Sequence, residues 1–105
     1  MSLRVFAFAS LFSLALGGVS LAEQPSRIVI QNFDFTPMTL TVNAGAMVTW
    51  TNKDGEPHTV VSEDGLFHSK ALDEGDSFSF KFDKPGTYKI LCSIHPQMRG
   101  IITVR

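Results

Sequence analysis

Near the C-terminus, Leu91-Cys92-Ser93-Ile94-His95-Pro96-Gln97-Met98 sets out a thiol, an imidazole and a thioether, each three residues after the last. Thiolate and thioether are soft donors that suit Cu(I), and imidazole suits either oxidation state of copper. A second imidazole comes from His58 in Glu56-Pro57-His58-Thr59-Val60, just after the turn Asn52-Lys53-Asp54-Gly55. His58, Cys92, His95 and Met98 together make a candidate site for one copper ion. Zinc fits the set less well, because structural zinc favours further Cys or His over a thioether. A Cys92 nucleophile with His95 as base would need an orienting group and a substrate cleft, for which the chain has little room. No enzymatic activity is predicted.

The compartment strengthens the metal reading. Arg4 precedes an almost uncharged apolar run, Val5 to Leu21, and Ser20-Leu21-Ala22 then gives small residues at the positions a signal peptidase reads. Residues 1–22 are expected to be a cleaved secretory leader, since the run is short for a membrane span and interrupted by Ser and Gly. Residues 23–105 are then one domain, exported to the periplasm and free of the membrane. Cys92 is the only cysteine, so no disulfide can form within the chain. Exported proteins usually pair their thiols, and ligation is the economical account of one that is unpaired. Arg4 leaves with the leader, and the remainder carries 8 basic and 10 acidic side chains, a formal charge of −2. That balance offers no basic footprint for nucleic acid.

Short strands must position these donors. Period-two alternation runs through Arg27 to Gln31, Met38 to Val42, Val48 to Thr51, Phe78 to Phe82 and Tyr88 to Cys92, and Ile101 to Val104 close the chain. Turn signals part them at Asn43-Ala44-Gly45, Asn52 to Gly55, Glu63-Asp64-Gly65, Asp73-Glu74-Gly75 and Lys84-Pro85-Gly86. The expected architecture is all-β: an antiparallel Greek-key β-sandwich of about seven to eight strands. Cys92 falls at a strand end, and His58 is expected to begin a strand at a sheet end. Met38 and Met47 read as core filler, and His68 as an exposed residue without a partner motif.

Pro57-His58-Thr59, Gly86-Thr87-Tyr88 and Cys92-x2-His95-x2-Met98 resemble the cupredoxins, the blue type 1 copper proteins. The short spacing, with His95-Pro96 and Met98-Arg99-Gly100, is most similar to amicyanins. The sequence departs from them at Ile94 and Gln97, where they carry Pro and Phe, and at Thr59, where they carry Asn. The resemblance implies a trigonal plane of His58, Cys92 and His95, with Met98 axial. It also implies that the Thr59 N–H is donated to the Cys92 sulfur, which would tune the redox potential. The implied role is electron transfer by a monomer, with a transient redox donor and acceptor docking near His95 on a rim of Pro57, Ile94 and Pro96. A periplasmic copper carrier or sequestering protein with the same ligands is the alternative.

Overall fold

The computed structural model describes residues 26–105, so the leader expected at 1–22 lies outside the described residues. Eight strands follow in order: β1 (Ser26–Gln31), β2 (Asp34–Thr36), β3 (Thr39–Val42), β4 (Ala46–Asn52), β5 (Val61–Ser62), β6 (Ser77–Phe82), β7 (Gly86–Leu91) and β8 (Arg99–Val104). They form two four-stranded sheets, ordered β2-β1-β4-β6 and β3-β8-β7-β5. There is no helix among the described residues. The fold is the β-sandwich that the alternation predicts.

Both sheets are mixed. β1 runs parallel to β4 and β3 parallel to β8, while the remaining pairs are antiparallel. Alternation reports which side of a strand is buried and carries no direction, so the parallel pairs were not readable from it.

Side-chain parity explains the core. In β4, Ala46, Val48, Trp50 and Asn52 point inward and are buried. Trp50 packs against Phe67, Phe78 and Phe82, with ring centroids 5.9, 6.0 and 6.4 Å away. Ile28, Ile30, Ile90 and Ile102 complete the apolar layer from neighbouring strands. The same parity turns Met47 outward, where it is 46% exposed, and Met38 in the β2–β3 connection is 57% exposed. Neither methionine fills the core, contrary to expectation.

The chain crosses from one sheet to the other between β4 and β5, and His58 lies in that crossing. The strand expected to begin at His58 begins instead at Val61. His58 exchanges two backbone hydrogen bonds with Leu72, at 3.1 and 2.7 Å, in an isolated bridge. Pro57 has no N–H to continue a ladder, which limits regular pairing before His58. β5 pairs antiparallel with β7, Val61 facing Leu91. Continued by two residues, that register sets Thr59 opposite Ser93, immediately after Cys92. β7 and β8 pair up to Leu91 and Arg99, and the Cys92 N–H to Met98 carbonyl bond (3.2 Å) adds one more rung. The loop carrying His95 is thereby pinched at its base.

Phe82 touches Trp50, Phe67, Phe80 and Tyr88 and is fully buried. Phe82→Ala should cost about 3–5 kcal/mol of stability, read from the urea midpoint of the metal-free protein. A loss below about 1 kcal/mol would mean that this aromatic cluster does not anchor the sandwich.

Candidate metal centre

Cys92 directly follows β7, Met98 directly precedes β8, and His95 lies midway along the loop between them. His58 reaches the same end of the sandwich from the crossing, bringing together residues 34 apart in sequence. The Nδ1 atoms of His58 and His95 each lie 3.8 Å from the Cys92 Sγ. One donor atom from each of the three residues falls within 4.8 Å of the other two. For metal–nitrogen and metal–sulfur bonds of about 2.0 and 2.3 Å, a trigonal angle separates the donors by about 3.7 Å and a tetrahedral one by about 3.5 Å. The observed spacing of 3.8 Å lies close to both values, so one ion can reach the sulfur and an imidazole nitrogen together. His58, Cys92 and Met98 are buried, whereas His95 is half-buried. The Met98 N–H bonds the His95 carbonyl at 2.9 Å, closing the loop on itself.

The sulfur sits in a field of donors. The Thr59 N–H points at Cys92 Sγ from 3.3 Å, the tether that the resemblance implies, and the Thr59 hydroxyl lies 3.7 Å from the same atom. Thr59, which stands where amicyanins carry Asn, also ties the loops by its side chain. Its Oγ1 accepts the Ser93 N–H at 2.8 Å and meets the Ser93 Oγ at 2.8 Å, joining the two loops through side chain as well as backbone. Burial raises the Cys92 pKa, but the Thr59 N–H, the His58 ring, and the His95 N–H and ring outweigh it, so the pKa falls to about 6. The site therefore holds a thiolate, the form that binds metals, at neutral pH.

Asp54, four residues before His58, orients the first imidazole. Its Oδ2 lies 2.8 Å from the His58 Nε2, so that nitrogen carries the proton and Nδ1 is left facing the sulfur. Burial acts to raise the Asp54 pKa; the N–H groups of Phe33 and Asn32 and the His58 ring hold it below the usual carboxylate value. Asn52 fixes the turn beneath. Its Nδ2 donates to the Glu56 and Leu72 carbonyls at 2.9 and 2.8 Å, and its Oδ1 accepts the Asp54 N–H at 2.9 Å.

All four candidate residues thus come to one end of the sandwich. His68 is exposed, as expected, and its ring Nδ1 lies 2.9 Å from the Ser69 carbonyl, away from the cluster. Sequence reading missed Asn52, Asp54, Ser93 and Phe33 as parts of the site. Only Asp54 carried a signal, a carboxylate four residues before a candidate ligand, and it is also an ordinary turn residue.

The cupredoxin-like domain family matches residues 3–104, and the chain belongs to that family. Amicyanin-alpha of Methylorubrum extorquens is 30% identical, over 93% of this chain and 90% of its own length. A plastocyanin of Scenedesmus fuscus is 38% identical, over 68% of this chain and 86% of its own. Among solved structures, a purple cupredoxin from Nitrosopumilus maritimus superposes with a TM-score of 0.71 at 35% identity, covering 76% of this chain and 99% of that one. His58, Cys92, His95 and Met98 are positioned as a type 1 copper site.

The lowered Cys92 pKa has a signed consequence for the metal-free protein. The folded state loses its thiol proton near pH 6, the unfolded chain near ~8.5. The contribution to stability is complete above the unfolded value, declines as pH falls through this interval and is gone below about 6. Ultraviolet thiolate absorbance should titrate with a midpoint near 6, and wild type should gain stability over Cys92→Ala as pH rises from 6. A midpoint near ~8.5, the value of a free thiol, would show that these donors do not act on the sulfur.

Proposed function

We propose that this protein is a single-electron carrier, exported to the periplasm by residues 1–22. His58, Cys92, His95 and Met98 would hold one copper ion, and the buried thiolate and imidazoles would set its redox chemistry. The observation that carries the reading is convergence: two imidazole Nδ1 atoms at 3.8 Å from a buried thiolate, on loops cross-braced by Thr59.

When bound, copper would supply a one-electron couple. The residues supply everything else. Thr59 and Ser93 lock the two ligand loops together, so little has to move when the charge of the site changes. Burial of His58, Cys92 and Met98 keeps water from the metal side of the site. His95 is the half-buried member of the set, and its edge offers the shortest way out for an electron. Pro57, Ile94 and Pro96 are exposed around it, an apolar rim where a redox donor and an acceptor protein dock transiently. Small, weakly held interfaces suit such encounters because exchange stays fast. The protein acts as a monomer in this reading. Burial of the thiolate favours it over copper carriage, for which an open site with exposed donors is better suited.

Adding Cu(II) to the purified protein should produce an intense visible thiolate-to-copper band that bleaches and returns on reversible one-electron reduction. Cys92→Ser should abolish the band while leaving the fold intact. A colourless complex that yields its copper readily to a chelator would favour carriage. The mass of the exported protein should lack residues 1–22.

A further inference from the structure

The β1–β2 hairpin turns through two residues, Asn32 and Phe33, with Gln31 facing Asp34 at its base. Both have positive φ, 56° and 59°. That combination marks a type I′ turn, in which Asn suits the first place and Gly the second. Phe33 stands where glycine is expected. A bulky side chain in left-handed backbone is strained, and the residue is 41% exposed, so neither backbone preference nor burial accounts for it.

Two sets of contacts hold this turn. Asp54 accepts the Asn32 N–H on Oδ1 at 2.7 Å and the Phe33 N–H on Oδ2 at 3.0 Å. The same Oδ2 takes the His58 Nε2 at 2.8 Å, so one carboxylate aligns the turn with the first imidazole. The Phe33 ring then meets both imidazoles edge to face. Its centroid is 5.3 Å from His58 at 82° and 5.0 Å from His95 at 78°, while the two imidazoles are 4.8 Å apart. These are favourable aromatic geometries, and one ring makes both.

We propose that Phe33 is a positioning residue, kept in a strained turn because only there does its ring brace both metal-binding imidazoles. The inference rests on the copper reading of the site and goes beyond it by assigning a role outside the ligand loops. His58 is already fixed by Asp54, so the effect of Phe33 falls mainly on His95. That residue is half-buried and belongs to a short loop, and among the described side chains its ring meets the sulfur, the ring of His58 and the ring of Phe33. Phe33 holds the His95 ring in its binding orientation before the metal arrives and slows its departure afterwards.

Phe33→Gly separates this role from a merely structural one, because glycine relieves the backbone strain while removing the ring. The full chain carrying Phe33→Gly should unfold at the same or a higher urea concentration than wild type. From the copper-loaded form, copper should pass to a chelator roughly tenfold faster. In the metal-free protein, nuclear Overhauser contacts should show one His95 ring orientation in wild type and several in the variant. Phe33→Leu, which keeps an apolar side chain without the ring, should behave like Phe33→Gly, and Phe33→Tyr should keep the wild-type rate. Equal release rates and an equally fixed His95 ring in Phe33→Gly or Phe33→Leu would overturn the proposal. A wild-type protein that takes up no copper would refute the copper reading instead, and the ring comparison in the metal-free protein would still decide the role of Phe33.

Discussion

The Cys92 sulfur is buried, and the Thr59 N–H reaches it from the other ligand loop at 3.3 Å. Much of the architecture follows from keeping that contact. A thiolate removed from water needs hydrogen-bond donors, and its own strand cannot supply them all. The donor arrives because the crossing from β4 enters the second sheet beside β7, in a register that sets Thr59 level with Ser93. His58 is the residue before Thr59, so the tether that satisfies the sulfur also delivers the first imidazole. Thermodynamic need and ligand geometry are met by one loop contact.

The remaining polar groups around the site follow the same logic. No buried side-chain nitrogen or oxygen among the described residues lacks a partner. Asn52 is fully buried yet spends its amide on two carbonyls and one N–H, stiffening the turn that carries Asp54. Asp54 in turn aligns His58 and the β1–β2 hairpin. A chain of hydrogen bonds therefore runs from the strand β4 to the imidazole. The links between Asn52, Asp54 and His58 are short and at least partly buried, which favours a fixed orientation of the imidazole.

The sequence disclosed the parts of this arrangement that are local. Cys92, His95 and Met98 share one short loop, so their spacing alone gathers three donors. Alternation in β4, β6 and β7 reveals the sandwich, because burial on one face leaves a period of two. Met47 shows the limit of reading by residue type: its parity is opposite to that of Val48 and Trp50, which turns it outward, and parity is the better guide. The parallel pairings of β1 with β4 and β3 with β8 depend on how the chain crosses between sheets. Asp54 and Phe33 escaped notice for a related reason. Their roles lie in contacts with His58 and His95, and Phe33 is 25 and 62 positions from them, in a two-residue turn that is not among the turn signals of the sequence.

On this reading the fold, and not the metal, sets the positions of the four donors. Crystal structures of the metal-free, Cu(II) and Cu(I) forms of the full domain test it most directly. His58, Cys92, His95 and Met98 should keep the same rotamers in all three, with the Thr59 N–H still on the Cys92 sulfur. Imidazoles that swing away in the metal-free form, or a Thr59 contact present only when copper is bound, would contradict it.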